Sequence, residues 1–411
     1  MTKKHLILIT DIYPIGLGEF FLDDEMKIAE SYFEKIIIIV PNEQYQAFQH
    51  YTSTNMIVNE WSFKRNISII LNSLPFIFSK STISEILSMH KRTTIWNRLK
   101  IVVNDAFKSS SLINEIEKTL IKEKINPNQS VFYSYWHDYK ALALARLKQK
   151  MEGIFISRAH SSDIFAFRST LNYLPYKRFI LSNLDQTYSI SEIGKKELES
   201  YVEDKMLDKI SLSRLGKQNL RKPLFEKMDD KIIICSCSHF NHLKRVHLIP
   251  RILKKLNILN IHWVHFGWGY PEYEKMVNDE LQDARFTFEL QGETENENIL
   301  DFYSTNFVDL FINLSTHEGI PVSIMEAFSA AIPVLATNVG GVGEIVDENC
   351  GFIIEKEFNV DLVAKKLEVF LKASLEIQTE KRRNARLQWE KKYNAEKNYN
   401  NFYKHLMIYG K

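Results

Sequence analysis

The sequence predicts an α/β protein made of two doubly wound domains, and three observations support this fold class. The chain has 411 residues, which is more than a single hydrophobic core usually supports. Apolar runs of strand length alternate with amphipathic stretches of helix length. The alternation occurs twice, on either side of a charged segment, 214–230, that contains Pro223 and lacks apolar periodicity. We therefore expect the domain boundary within this segment.

The first half of the chain begins with a predicted buried strand. Its apolar run, Leu6 to Ile9, stops at Thr10 and Asp11 and is too short for the hydrophobic region of a signal peptide. A short, continuous apolar run is typical of a strand buried on both faces of a parallel sheet. Strands are predicted at 6–9, 35–40, 131–134, 154–157 and 186–190, and the helical stretches between them include 20–32 and 139–148.

The second half of the chain repeats this pattern. Its predicted strands are 231–236, 261–266, 286–290, 309–314 and 333–337. The final segment, 379–411, is rich in Lys, Glu and aromatic residues at helical spacing, which predicts helix.

Composition excludes several classes of protein. Apolar residues make up 45% of the chain and charged residues 25%, as in ordinary globular proteins. A net charge of +2 gives no overall attraction to nucleic acid, so we expect no nucleic-acid partner. The three cysteines, Cys235, Cys237 and Cys350, indicate a reducing compartment and make a poor zinc site. No apolar run approaches the roughly 18 to 20 residues of a membrane span. We expect a cytoplasmic protein, with peripheral contact with a membrane left open.

The most informative segment spans the predicted junction between strand 309–314 and the helix that follows it. Two carboxylates, Glu318 and Glu326, lie eight positions apart there, and Pro321 has the fixed φ that suits a first helical position. Such a junction directs free backbone N–H groups toward the carboxyl edge of a sheet, where phosphates commonly bind. Carboxylates accept hydrogen bonds from sugar and ribose hydroxyls. The segment therefore predicts a nucleotide-sugar site, although two solvated glutamates beside an ordinary helix remain the alternative.

The segment 318–346, EGIPVSIMEAFSAAIPVLATNVGGVGEIV, resembles the E-x7-E region of glycosyltransferase family 4, the retaining GT-B enzymes of bacterial polysaccharide synthesis. The resemblance implies a GT-B fold, with two Rossmann-like domains facing across a deep cleft. It implies an acceptor-binding domain at 1–215, a nucleotide-sugar-binding domain at 216–390 and a helix at 391–411 that packs back on the first domain. An independent charged helix is the alternative for this last segment. The aromatic residues proposed to anchor it are Trp389, Tyr393, Tyr399 and Phe402.

The resemblance also implies roles for individual residues. Glu318 and the amides after it hold the donor sugar, Glu326 binds the ribose, Lys244 binds the donor phosphates, and His160 hydrogen-bonds the reacting sugar. The catalytic candidates are His160, Glu318 and Lys244. The donor-binding candidates are Glu326, Gly319, Ile320, Pro321, Val322, Ser323, His239, Arg245, Gly267, Gly16 and Gly18, and the acceptor-side candidates are Arg158, Asp163 and His137.

Several of these roles stay open. His239 stands where the family usually has an arginine, so it contacts phosphate itself, or Arg245 compensates, or the second cation is missing. The G-x-G at Gly16 and Gly18 is a weak pattern that also fits a plain turn. The alternative for His160 is a structural histidine whose hydrogen bonds are all made within the protein. The residues around His137 resemble the family pattern less specifically.

The span 65–100 mixes aliphatic and aromatic residues with basic ones, namely Lys80, Lys91, Arg92, Arg98 and Lys100. Basic, apolar-faced helices can lie in a lipid interface and attract anionic headgroups. An insertion packed on the core, with solvated basic residues, is the alternative.

The expected function is transfer of a sugar from a UDP- or GDP-sugar to a glycan hydroxyl, on a lipid-linked acceptor in surface polysaccharide synthesis. The resemblance implies that no metal or other cofactor is needed and that the departing phosphate helps to remove the acceptor proton. A nucleotide-sugar epimerase or hydrolase on the same fold, and a catalytically silent glycan-binding module, are the rival interpretations.

Overall fold

The protein is described from a computed structural model that covers residues 4–16, 18–43, 50–63, 66–87, 94–218 and 223–409. The chain divides into two compact units. The first contains residues 1–215 and 397–411, and the second contains Gly216–Glu396. Two named residues of the basic span, Lys91 and Arg92, lie outside the described residues.

The first unit is built on a seven-stranded parallel sheet with the order β3-β2-β1-β4-β5-β6-β7. Two of its strands contain continuous apolar runs, 6–9 and 36–40, and Ile7, Ile37 and Phe132 are buried in the core that the helices cover. The strands are β1 Lys4–Ile9, β2 Phe33–Pro41, β3 Met56–Trp61, β4 Ser130–Ser134, β5 Ile154–Ala159, β6 Gln186–Ser189 and β7 Ile210–Leu212. The helices are α1 Phe21–Ala29, α2 Ile67–Ile77, α3 Lys80–Leu87, α4 Ile95–Lys122, α5 Tyr139–Leu147, α6 Ser161–Ile164, α7 Lys177–Asn183 and α8 Glu192–Glu199.

The second unit is built on a six-stranded parallel sheet with the order β10-β9-β8-β11-β12-β13. Its strands are β8 Ile232–Cys237, β9 Ile261–Phe266, β10 Thr287–Leu290, β11 Val308–Asn313, β12 Val334–Thr337 and β13 Gly351–Ile354. Its helices are α9 Leu248–Leu253, α10 Pro271–Leu281, α11 Asn296–Thr305, α12 Val322–Ser329, α13 Val342–Ile345, α14 Val360–Leu371 and α15 Leu375–Lys392. These two sheets confirm the predicted doubly wound α/β class.

The last helix, α16 Ala395–Tyr409, belongs to the first unit from Lys397 onward. Tyr399 and Phe402 are buried in the first unit, whereas Trp389 and Tyr393 belong to the second.

The structure differs from the predicted elements in two respects. The ten predicted strands are present, but β3, β7 and β13 were not predicted. Pro321 is not the first helical residue: it is the N-cap, with φ −67° and ψ 123°, and the helix begins at Val322. The fixed φ of proline fits both positions, so only ψ, which the sequence does not determine, separates them.

Within the described residues, no single helix is long and apolar enough to cross a membrane. Taken together, α2 and α3 are long and apolar enough for a membrane span, but the pair is bent by 73°.

Candidate functional site

The loops after four strands of the second unit meet at the carboxyl edge of its sheet. Because all six strands are parallel, the segments after β8, β9, β11 and β12 lie at the same edge. These segments contain the predicted donor-site residues that belong to the second unit; Gly16 and Gly18 belong to the first. The structure therefore brings the second-unit candidates to one edge.

Glu318 is the centre of a polar cluster at this edge. Its Oε1 accepts hydrogen bonds from Lys244 Nζ at 2.5 Å, Ser315 Oγ at 2.6 Å and Asn313 Nδ2 at 3.3 Å. The Glu318 side chain is mostly buried, and Lys244 is about one-quarter exposed. Among the described residues, none donates a hydrogen bond to Oε2 of Glu318. This oxygen is the one that a ligand hydroxyl can reach.

Glu326 lies one turn into α12 and is almost fully buried. Its Oε1 accepts a hydrogen bond from Asn296 Nδ2 at 2.7 Å and lies 3.4 Å from Lys217 Nζ. Lys217 Nζ also donates to Asn296 Oδ1 at 3.3 Å. An ionised carboxylate has about four acceptor positions, so it can accept several hydrogen bonds at once. Lys217 and Asn296 are site residues that the sequence did not suggest.

Gly340 and Gly341 allow the loop after β12 to pack directly against Glu318 and Gly319. Gly340 has φ +54°, and a Cβ there would lie 1.9 Å from the Glu318 carbonyl oxygen. Gly341 N donates to the Gly319 carbonyl at 2.9 Å. The glycines thus fix the backbone around Glu318, and a side chain at either position would displace it.

The loop after β8 contains Lys244 and Arg245, whose side chains have different partners. Asn241 Oδ1 accepts hydrogen bonds from the amides of Leu243 and Lys244, at 2.9 and 3.0 Å. Arg245 Nε donates to the carbonyl of Leu314 at 2.7 Å. The guanidinium of Arg245 thus lies beside the end of β11, and its Nη1 is 3.9 Å from Glu357 Oε1.

The exposed imidazole of His239 has Nδ1 3.2 Å from the carbonyl of Trp268. Beside it, Gly267 has φ +135°, and a Cβ there would lie 2.1 Å from the Ser238 carbonyl oxygen. The Gly267 turn therefore packs against the β8 loop by backbone contact, which requires glycine.

His265, on β9, contacts the start of the same loop. It was not among the residues predicted from the sequence. Its Nε2 lies 3.0 Å from the carbonyl of Ser238, and its Nδ1 lies 2.8 Å from Ser236 Oγ. Trp263 Nε1 donates to Ser236 Oγ at 2.9 Å. Because the Ser238 carbonyl can only accept, Nε2 of the neutral His265 ring donates to it, and Nδ1 accepts from the Ser236 hydroxyl. This pattern suits one neutral tautomer of His265. Burial lowers the pKa of His265 from 6.5 to about 3, and His239 adds to the lowering.

Acid is expected to destabilise the second unit through His265. The unfolded histidine takes up a proton near pH 6.5 and the folded one only near pH 3, so stability falls as pH drops below about 6.5. At pH 5.5 this proton uptake lowers the free energy of unfolding by about 1 kcal/mol. The pKa values of His247 and His262 are also lowered, so these residues reduce stability in acid in the same way. Urea unfolding at pH 7.5 and 5.5 measures the loss. An unchanged pH dependence in His265→Gln would show that His265 contributes nothing.

In the first unit, His160 and His137 follow β5 and β4 at the carboxyl edge of that sheet. Asp163 joins the two loops by accepting hydrogen bonds from the amides of His160 at 2.6 Å and His137 at 2.7 Å. Burial lowers the pKa of His160 to about 3, and the Trp136 ring lies 4.6 Å from the His160 ring. His160 is thus a neutral group at physiological pH. Each carboxylate oxygen of Asp163 thus accepts a backbone amide, and together they position both loops.

Arg158 does not lie where the sequence placed it. Its side chain is fully buried in an ion pair with Glu25, with Nη2 3.3 Å from Oε1. Arg158 Nε also donates to the hydroxyl of Tyr133 at 2.5 Å, and Tyr403 donates to Glu25 at 3.1 Å. Because these groups lie in the core of the first unit, Arg158 cannot contact an acceptor in this arrangement. It holds α1, β4, β5 and α16 together.

The loop after β1 is closed by Glu19, which the sequence did not single out. The two Glu19 carboxylate oxygens accept hydrogen bonds from the amides of Asp11, Ile12 and Tyr13, at 3.3, 2.8 and 2.6 Å. Trp136 Nε1 also donates to Glu19, at 2.5 Å. These amides are therefore occupied by an internal carboxylate.

Beside this loop, the Gly16 carbonyl lies 2.9 Å from His50 Nε2. Gly18 has φ +151°, a conformation that glycine adopts readily. Gly18 thus has a conformational role within the loop, whereas Gly16 is held through its backbone carbonyl.

Within the described ranges, no group of three His, Cys, Asp or Glu residues is arranged to hold a metal ion.

Comparisons with known proteins fit this arrangement. Residues 217–388 match the family model described as glycosyl transferases group 1. The O-antigen biosynthesis glycosyltransferase WbnH of Escherichia coli is 32% identical over 118 residues, which is 29% of this chain and 32% of WbnH. The probable O-antigen biosynthesis glycosyltransferase WbiN of Escherichia coli gives the same values. The match thus spans about a third of the length of these curated relatives.

Solved structures show the likeness over the whole chain. The Anabaena protein HepE in complex with UDP has a TM-score of 0.68 at 13% identity, and the match covers 98% of this chain and 100% of that one. Sucrose-phosphate synthase from Thermosynechococcus elongatus has a TM-score of 0.69 at 14% identity, with 98% and 99% covered. At such identities the likeness shows the fold alone. Residues 217–388, which are less than half of the chain, are thus similar to the glycosyl transferases group 1 family, and the chain has the GT-B fold.

Proposed function

We propose that the protein is a retaining glycosyltransferase of family 4. It transfers a sugar from a UDP- or GDP-sugar to a hydroxyl of a glycan acceptor in bacterial surface polysaccharide synthesis, for capsule, exopolysaccharide or lipopolysaccharide. The observation that carries the proposal is the Lys244–Glu318 pair at the carboxyl edge of the second sheet, with Glu326 in the helix that follows. The names of WbnH and WbiN, and the UDP and UDP-glucose bound to HepE, support this class of reaction.

In this proposal, three parts of the donor bind to three charged residues of the second unit. The diphosphate binds beside Lys244, whose ammonium supplies positive charge. The ribose hydroxyls donate to Glu326, and a hydroxyl of the donor sugar donates to Oε2 of Glu318. The free amides at the start of α12, around Gly319, Ile320, Val322 and Ser323, provide further donors.

The chemical step breaks the bond between the sugar C1 and the diphosphate oxygen, and the acceptor oxygen forms its bond to C1 from the same face. The departing diphosphate takes both electrons of the broken bond and accepts the acceptor proton. Lys244 stabilises the negative charge that develops on the diphosphate. His160 acts as a neutral hydrogen-bonding partner of the sugar, because its lowered pKa excludes an imidazolium at neutral pH. We propose that the step needs no divalent ion.

The acceptor in this proposal is linked to a lipid, and the protein works at the inner face of the cell membrane by peripheral contact. The basic and apolar composition of the span 65–100 supports this location.

A thermal-shift screen tests the donor site. One nucleotide diphosphate, or its sugar conjugate, among the UDP, GDP, ADP and CMP series is expected to raise the melting temperature, equally with and without EDTA. Glu326→Ala is expected to abolish that shift, because the ribose loses its acceptor.

Two outcomes of the screen would contradict the proposal. No shift with any nucleotide would favour a glycan-binding module. A shift that Glu326→Ala retains would remove the assigned ribose contact. Product formed from the donor without any acceptor would instead indicate an epimerase or hydrolase.

A further inference from the structure

Exposed apolar side chains are concentrated in one part of the first unit. Of the 25 large apolar residues exposed among the described ones, nine lie between residues 67 and 96. They are Ile67, Ile70, Leu71, Leu74, Phe78, Ile83, Leu87, Ile95 and Trp96. Single exposed apolar residues are ordinary on a protein surface, but a concentration of this kind marks an interaction site.

The helix α2 shows this most clearly. Its sequence, Ile67–Ile77, contains no charged residue, and only Ile69 and Ser73 are fully buried. Phe76 anchors the helix, since its ring lies 5.4 Å from Tyr176 and 5.4 Å from Phe179. Leu71 is 59% exposed and Phe78 is 71% exposed. The helix is therefore fixed to the core on one side and presents apolar side chains to the outside on the other.

The sequence of the segment that contains these helices is strongly basic. Residues 64–100 contain seven Lys and Arg residues and one acidic residue, Glu85, in a chain whose net charge is only +2. The hydroxyl of Tyr173 donates a hydrogen bond to Glu85. Lys80, the first residue of α3, and Lys100, on α4, are exposed, whereas Arg98 is buried. Exposed apolar residues flanked by cations complement an anionic lipid surface.

We infer that α2 and α3 form a membrane-docking wedge that inserts its apolar side chains into the interface of an anionic bilayer. With 11 residues, α2 is about 16 Å long, about half of the roughly 30 Å thickness of the hydrocarbon region. The 73° bend between α2 and α3 also prevents them from forming one straight span. The wedge thus lies in the interface and does not cross it, while Lys80 and Lys100 contact the headgroups.

This inference rests on the proposed function in one respect, because a lipid-linked acceptor requires the enzyme at the bilayer. It names the surface and the partner: lipid with a negatively charged headgroup. A second copy of the chain carries the same positive charge at this surface, so self-association there would bring like charges together.

Vesicle co-sedimentation of the full chain tests the wedge. The wild-type protein is expected to bind vesicles that contain phosphatidylglycerol and to bind pure phosphatidylcholine vesicles at least 10-fold more weakly. Leu71→Glu combined with Phe78→Glu is expected to weaken binding to the anionic vesicles at least 10-fold, because both side chains are lost from the interface. Ile121→Glu is the matched control: Ile121 is 79% exposed on α4 of the same unit, outside the wedge, and its replacement is expected to leave binding unchanged.

Three results would overturn the inference. They are absence of binding by the wild type, equal binding by the double variant, and light scattering that shows a dimer which the double variant dissociates. The nucleotide-induced thermal shift, measured on the same double variant, separates the two proposals. A retained shift with lost vesicle binding supports both, and a retained shift without any vesicle binding by the wild type contradicts the wedge alone.

Discussion

Replacement of Lys244 by methionine is expected to lower turnover about 10²- to 10³-fold. The substitution removes the cation that is 2.5 Å from Glu318 and, in the proposed mechanism, beside the departing diphosphate. Methionine keeps an unbranched side chain, so the loss reports on charge. The measurement is kcat at saturating donor and acceptor, with the donor Kd determined separately, because stabilisation confined to the transition state appears in kcat.

A matched control for this substitution is Lys254→Met. Lys254 pairs with Glu280 at 3.0 Å, and its side chain is exposed to a degree similar to that of Lys244, but it lies between α9 and α10. Its loss is expected to leave kcat unchanged. Glu318→Gln completes a double-mutant cycle with Lys244→Met, and because the two groups are in direct contact their effects should not add. Full additivity, or a Lys244→Met variant that turns over normally, would refute the assigned role.

Replacement of Arg158 by methionine is expected to reduce the free energy of unfolding of the first unit by about 3–5 kcal/mol. Both Arg158 and Glu25 are fully buried, so the variant leaves a carboxylate without its partner in the core. Burial already raises the pKa of Glu25 and Arg158 lowers it, so loss of Arg158 should raise this pKa further. Urea unfolding followed by far-UV circular dichroism measures the loss of stability.

The control for Arg158→Met is Arg178→Met in the same unit. Arg178 pairs with Glu203 at 2.9 Å, but both side chains are more than half exposed, so its loss should cost no more than about 1 kcal/mol. Adding Glu25→Gln to Arg158→Met removes both charges and is expected to restore part of the stability. Equal losses for Arg158→Met and Arg178→Met would show that the buried pair does not stabilise the unit.

The three strands that were not predicted from the sequence all lie at an edge of a sheet. β3 and β7 are the two edges of the first sheet, and β13 is an edge of the second. An interior parallel strand is covered on both faces and gives a continuous apolar run, as in β1. β3 is only partly buried and alternates, and β7 has only three residues. The sequences of β3 and β7 therefore lack the apolar signal, and pairing with a neighbouring strand determines their structure. The strand β13 is apolar but has only four residues, and so short an apolar run does not distinguish strand from helix.

Some residues of the candidate site lie close together in the sequence, and others are brought together only by folding. Glu318, Glu326 and the glycines Gly340 and Gly341 lie within one short segment, so their pattern is readable from the sequence. Lys217 reaches Glu326 from 109 positions away, and Arg158 meets Glu25 across 133 positions. No local spacing identifies such pairs, because packing of the sheets and helices creates them. This is also why Arg158 was assigned to a ligand when its partner is Glu25.

The chain order of the two units has a consequence for synthesis on the ribosome. The second unit is one continuous segment, 216–396, whereas the first also requires 397–411. Tyr403 donates its hydrogen bond to Glu25 over 378 positions, and the Phe402 ring lies 5.6 Å from Tyr133. Although domains usually complete folding in the order of synthesis, here the first unit is complete only after residues 397–411 have been synthesised. Until then, the side chains that α16 covers are exposed to chaperones and proteases.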